Sequence, residues 1–148
     1  MPVRMELSRI LIRELVDYQI IELREVRDDM PDPVNGKPRH FPIVIGLPEA
    51  QAIERRLKGI EIKRPQTHDL LADVITALGG RLESITITDL DDSTFFATLN
   101  IRMGEGEEGE LKRVDSRPSD AIAIGVAEQV PLYVSEHVLD AASAEPED

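Results

Sequence analysis

From Ser84 to Ile101 the apolar side chains fall on every second residue. Ile85 and Ile87 alternate with Ser84, Thr86 and Thr88, and Phe95, Ala97, Leu99 and Ile101 alternate with Thr94, Phe96, Thr98 and Asn100. A period of two belongs to strands that lay one face on a core. Asp91-Asp92-Ser93 between the two runs supplies a hairpin loop. GEGEEG, Gly104 to Gly109, supplies a second loop that leads into a strand over Leu111–Asp115. Any fold of this chain has to accommodate that block of hairpin-joined strands.

The flanking segments add helices without interleaving them. Residues 3–13 and 18–27 are rich in Ile, Leu and Val and read as two strands joined near Glu14–Asp17; Phe41–Ile45 reads as a third that stops at Gly46. Asp28 to His40, with three prolines and Asn35-Gly36, is a turn-rich surface loop. Pro48 suits a first helical position, and Ala50, Ile53, Leu57 and Ile60 give one helix face, with Glu54 and Lys58 as an i,i+4 pair. Leu70, Leu71, Val74, Ile75 and Leu78 form the apolar stripe of a second helix, stopped by Gly79-Gly80. Residues 119–129, apolar nearly all round, read as a helix buried in the domain centre. Leu132–Val134 is a last short strand, followed by a brief helix near Glu136–Ala142 and a tail, Ala144–Asp148, expected to be disordered. The order βββααβββαβ runs in blocks, which indicates an α+β fold with a mixed, largely antiparallel sheet and about three helices, and argues against a doubly wound nucleotide fold.

Composition narrows the function. A chain of 148 residues is one domain's worth, and with no cysteine it has no disulfide, no thiolate metal site and no cysteine nucleophile. No apolar run approaches the roughly 20 residues of a bilayer span, and MPVRMELSRI carries charges where a secretory signal needs its apolar stretch, so a cytoplasmic location and no membrane partner are expected. The formal charge of −12 argues against nonspecific coating of nucleic acid, and five aromatics without Trp make a base-stacking platform a poor expectation. One basic cluster stands out: Arg55, Arg56, Lys58, Lys63 and Arg64 against Glu61, a local +4.

Chemically capable residues crowd two predicted helix starts, Arg64–Leu70 (RPQTHDL) and Val114–Ala121 (VDSRPSDA). A helix N-terminus beside an arginine makes an anion pocket, and phosphate is its natural guest. The plain alternative is helix-entry chemistry, with Thr67 and Ser119 as caps and Glu49, Asp69 and Asp120 as first-turn acids. Taken as one constellation, Glu49, Asp69, Asp115 and Asp120 offer oxygen ligands to hard divalent cations, His68 a proton carrier, and Arg64 and Arg117 phosphate contacts, the parts a phosphodiesterase needs. A Gly-x-Ser-x-Gly elbow and paired zinc-type histidines are both absent.

At the same segments the chain resembles the bifunctional nuclease domain family. FPIVIGLPEAQAI, KRPQTHDLL, ITITDLDDSTFFATL, VDSRPSDAIAI and PLYVSEHVL occur in the family's order and cover about residues 3–139. The resemblance implies one nuclease-like domain over 1–139 with an acidic tail over 140–148, cleavage of both DNA and RNA, nucleic acid as substrate rather than stable partner, and a homo-oligomer, a dimer favoured. It places Glu49, Arg64, Thr67, His68, Asp69, Asp115, Arg117, Ser119 and Asp120 in the candidate site. The expectation carried forward is a nuclease using Mg²⁺ or Mn²⁺. In it His68, Asp69, Asp115 and Asp120 are catalytic, Glu49, Asp69, Asp115 and Asp120 bind metal, and Arg64, Thr67, Arg117 and Ser119 bind phosphate. The rival is a non-enzymatic regulatory or interaction domain that binds an anionic ligand or a protein.

Overall fold

The computed structural model describes residues 2–13, 15–26, 38–104, 106 and 108–143. Residues 28–37 of the expected loop, and the tail Ala144–Asp148, lie outside the described residues. Seven strands, β1 (Val3–Leu11), β2 (Gln19–Glu25), β3 (His40–Ile45), β4 (Gly80–Asp91), β5 (Thr94–Met103), β6 (Leu111–Ser116) and β7 (Leu132–Val134), form one sheet in the order β3-β2-β1-β7-β4-β5-β6. Every pairing is antiparallel except β4 with β7. Four helices accompany it: α1 (Leu47–Lys58), α2 (Thr67–Ala77), α3 (Pro118–Glu128) and α4 (Glu136–Ser143). The block order and the mixed, mostly antiparallel sheet agree with the sequence reading.

Register sets which face is buried. Ile43 lies opposite Ile21, Phe41 opposite Leu23, Ile85 opposite both Leu99 and Leu132, and Ile87 opposite Ala97 and Val134. These paired positions carry one continuous apolar face across the sheet. Ala50 and Ile53 of α1, Ala121 to Ile124 of α3, and Val138 and Leu139 of α4 join the same core. Helix α3 lies at its centre with buried residues all round, as its composition requires. The alternate strand positions, Thr86, Thr98 and Asn100 among them, occupy the helix-free face, where Asn100 donates to Ser84 and Thr86.

Two local features shape the site. Gln19 is fully buried at the start of β2; its Nε2 donates to the Arg13 carbonyl (2.8 Å) and the Val16 carbonyl (3.2 Å), and its Oε1 accepts from the Arg13 N–H. This fastens the β1–β2 connection and fixes the approach of Tyr18, whose ring centroid lies 5.3 Å from the Arg13 guanidinium carbon. Helix α1 ends at Gly59 in the left-handed conformation (φ 66°), which glycine adopts without steric cost and which turns the chain toward α2.

The α2 stripe departs from expectation. The helix forms where its period places it and ends at Ala77, with Gly79 left-handed and Gly80 already the first residue of β4. No residue of α2 is fully buried, and Leu70 and Leu78 are 55% and 71% exposed. Periodicity reports that a helix has an apolar face but not that its own chain covers that face.

Candidate functional site

Three helices begin at one cleft. Helix α1 starts after Gly46 with Pro48 in its first turn, α2 starts after Gln66, and α3 starts after Arg117 with Pro118 in its first turn. Extended backbone at Gly46, Gln66 and Arg117 feeds each helix, so these three residues, rather than Thr67 and Ser119, occupy the N-cap positions. The close side-by-side packing of α1 and α3 around Ala50, Ile53, Ala121 and Ile122 brings their first turns together, and α2 delivers His68 from the third side.

The side chains that meet there are Glu49, His68, Arg117 and Asp120. His68 Nε2 is 2.9 Å from Asp120 Oδ1. Arg117 donates through Nε to Asp120 Oδ2 (2.9 Å) and through Nη2 to Oδ1 (3.2 Å), and through Nη1 reaches Glu49 Oε2 at 3.5 Å. Burial pulls the Asp120 pKa up, but the Arg117 and His68 contacts outweigh it and leave it below the ordinary carboxylate value. The hydrogen bond to Asp120 in turn raises the Arg117 pKa. An ionised carboxylate only accepts, so the proton of a neutral His68 sits on Nε2, and Nδ1 keeps its lone pair. Among the described residues Nδ1 has no hydrogen-bond partner.

The cleft holds about 470 Å³ and is lined by Pro48, Glu49, Gln66, Thr67, His68, Leu71, Arg117 and Asp120. Gly46 makes room at its rim: a Cβ there would stand 2.3 Å from Glu49 Oε1, so a hydrogen at this position lets the carboxylate fold back over the start of α1. Arg117 and Glu49 also border a second cleft of about 570 Å³ that contains Ser119. Thus Glu49, Thr67, His68, Arg117, Ser119 and Asp120 gather around one centre.

Asp69, Asp115 and Arg64 do not join them. Asp69 belongs to the junction of α1 and α2: its Oδ2 accepts from the Gln66 N–H (2.9 Å) and from Arg55 Nη2 (2.8 Å), and its Oδ1 pairs with Arg56. Burial raises its pKa, and the Gln66 N–H and the two guanidiniums more than offset that, so it lies below the usual value. Asp115 stands opposite Thr98 in the β5–β6 ladder, while Ala97 and Leu99 on either side of Thr98 face the helices, so Asp115 is exposed on the helix-free face. Arg64 is exposed and forms no ion pair among the described residues. The basic cluster is thereby divided, since Arg55 and Arg56 turn inward to Asp69.

The expected Mg²⁺ or Mn²⁺ site can be tested on these donors. Among the described residues no group of three or more His, Asp or Glu side chains is placed to hold a metal ion. Asp69 is committed to two arginines, Asp115 faces away, and Glu49 and Asp120 share the cation of Arg117. As arranged, the four acids do not fit a resident divalent ion, and no step below passes through one.

Sequence reasoning missed Arg55 and Arg56 as partners of Asp69, and Pro48, Gln66 and Leu71 as cleft walls. The only available signal was a pair of arginines near the end of one predicted helix and an acid in the first turn of the next, joined by a short linker. No helix among the described residues is long and apolar enough to cross a membrane.

Comparisons with known proteins agree with the motif pattern. Residues 33–147 match the family model described as the bifunctional nuclease domain. An uncharacterized protein of Mycobacterium tuberculosis (strain CDC 1551 / Oshkosh) is 38% identical over 130 residues, 88% of this chain and 70% of that relative. Bifunctional nuclease 2 of Arabidopsis thaliana is 25% identical over 98 residues, 66% of this chain and 30% of the plant protein. Bifunctional nuclease 1 of Oryza sativa subsp. japonica is 24% identical over 104 residues, 70% of this chain and 31% of the relative. Each alignment thus takes in less than a third of the plant protein's length.

Proposed function

This chain belongs to the bifunctional nuclease domain family, and from that premise we propose that it hydrolyses phosphodiester bonds of DNA and RNA, with little sequence preference, in the cleft where α1, α2 and α3 begin. The observation that carries this reading is an imidazole oriented by an ionised carboxylate, His68 on Asp120 at 2.9 Å, with its second nitrogen open and a guanidinium alongside. His68 Nδ1 takes a proton from the attacking water as its oxygen bonds to phosphorus; the P–O bond to the leaving oxygen breaks, and the same proton is available to that oxygen. Arg117 binds the phosphate and, with Asp120, holds His68 in the required tautomer. Glu49 positions Arg117.

Charge balance supports a phosphate guest despite the acids. Glu49 and Asp120 against Arg117 leave the cluster at −1 with His68 neutral. Three helix N-termini, each equivalent to about half a positive charge, offset that.

The test is cleavage of labelled single- and double-stranded DNA and RNA in Mg²⁺, in Mn²⁺ and in chelator, by wild type, Arg117→Ala and Asp115→Asn. Wild type and Asp115→Asn should cleave, and Arg117→Ala should be slower by about a hundredfold, the loss typical of a group that stabilises transition-state charge. The chelator arm reads metal dependence directly. Equal activity in all three proteins would identify a contaminant and sink the proposal. A second reading, a non-enzymatic module that binds an anion or a protein, is favoured by one observation: every charged side chain of the cluster already has a partner within it. A folded wild type that cleaves nothing under any condition would leave that reading in place.

We also infer a homodimer formed through α2. Leu70, Leu71, Val74 and Leu78, with Leu57 and Ile60 at the end of α1, are exposed large apolar side chains clustered around one helix, a composition that marks interfaces. Sedimentation at micromolar concentration should give a dimer for wild type and a monomer for Val74→Lys. A monomeric wild type would refute the inference.

A further inference from the structure

The second cleft at Arg117 has walls unlike the first. Tyr18, Pro42, Val44 and Phe95 make it largely apolar and aromatic, and Glu49 and Arg117 form its border with the His68 cleft. Phe95 is braced from behind by Phe41, with ring centroids 5.5 Å apart and planes 23° from parallel. Tyr18 is 47% exposed and is held in place through the Gln19 contacts on the β1–β2 connection. Ser119 lines the same cleft at only 5% exposure, and its hydroxyl has no hydrogen-bond partner among the described residues. A serine that is neither a cap nor bonded to the protein, buried beside a phosphate-binding arginine, points to an oxygen supplied by a ligand. At about 570 Å³ the cleft falls within the range of small-molecule sites, roughly 300–1,000 Å³.

We propose that this cleft is a nucleoside subsite: the nucleotide adjoining the scissile phosphate lays its base against Tyr18 and Phe95, and Ser119 donates to an oxygen of its sugar–phosphate. This rests on the phosphodiesterase reading of the neighbouring cleft. An apolar aromatic wall beside a guanidinium matches the two halves of a nucleotide, since every base has a π-face and stacking does not select sequence. Broad specificity toward DNA and RNA follows from that kind of contact. Arg13, lying over the Tyr18 ring, adds a second cation at the far rim.

The experiment pairs variants with substrates. KM is measured for a single-stranded oligothymidylate and for an oligonucleotide of the same length made of abasic units, with wild type, Tyr18→Ala and Ser119→Ala. Wild type should show a KM about tenfold lower for the base-bearing strand. Tyr18→Ala should abolish that difference without changing kcat on the abasic strand. Ser119→Ala should raise KM several-fold on both strands, because both keep the sugar–phosphate. Cleavage with no preference for bases in wild type, or a preference that survives Tyr18→Ala, would overturn the subsite. Independently, thymidine 5′-monophosphate should shift the NMR resonances of residues around Tyr18, Phe95 and Ser119. Such shifts in a protein that cleaves nothing would retain the subsite and discard the hydrolytic reading, and shifts confined to other surfaces would discard the subsite.

Discussion

Asp69→Ala is expected to destabilise the protein by about 3 kcal/mol and to lower its melting temperature by roughly 6–12 °C in calorimetry. The reason lies with the residues left behind. Arg56 is 5% exposed; its Nε donates to the Ala123 carbonyl at 2.6 Å, so the guanidinium is fixed against α3 and cannot swing to water when its carboxylate goes. Arg55 already has a buried Nε without a partner and would lose Asp69 at Nη2 as well. Two desolvated cations would then face each other with nothing between them, and the Gln66 N–H at the start of α2 would lose its acceptor. Asp69 retains some solvent access, which sets the estimate at the lower end of the range for broken buried pairs.

The pH dependence follows from the depressed pKa of Asp69. A carboxylate held below its unfolded value of about 3.9 contributes stability that is fully present above that value and is lost as the pH falls through the lower folded pKa. Wild type and Asp69→Ala should therefore differ most near neutrality and converge in acid. An Asp69→Ala protein that melts with wild type at pH 7 but has lost cleavage would restore Asp69 to the catalytic role that the sequence suggested.

That reversal of role shows where sequence reasoning reached its limit. The strands over 84–101, the three helix starts and the meeting of the RPQTHD and SRPSD segments were legible, because each rests on periodicity or on turn chemistry confined to a few residues. His68 and Asp120 were singled out for their positions at helix starts, and the chain does bring them together. Asp115 is a different case. Its face depends on strand register, and a shift of one residue would have moved it to the helix side. Asp69 and Asp120 occupy equivalent first-turn positions; what distinguishes them is that α1 ends in two arginines beside the start of α2, and that adjacency is a tertiary fact. The exposed α2 stripe has the same origin: a helical period reveals an apolar face but not what covers it.

The largest functional effect should come from the His68–Asp120 pair. His68→Ala and Asp120→Asn should each lower kcat/KM on single-stranded substrate by about 10² to 10⁴, the span associated with a positioned acid–base group. Both should leave the circular dichroism spectrum unchanged. Asp120→Asn is informative because it preserves shape while inverting the hydrogen bond. Arg117 only donates, so the amide oxygen of the replacement must face Arg117, and the amide N–H₂ is then presented to His68 Nε2. That nitrogen must become the acceptor, the imidazole proton moves to Nδ1, and the nitrogen that should take a proton from water no longer can. If the two residues act as one unit, the double variant His68→Ala/Asp120→Asn will be no slower than the worse single variant, because the carboxylate has nothing left to orient. Multiplying losses would separate their roles, and an undiminished rate in His68→Ala would remove the imidazole from the chemistry altogether.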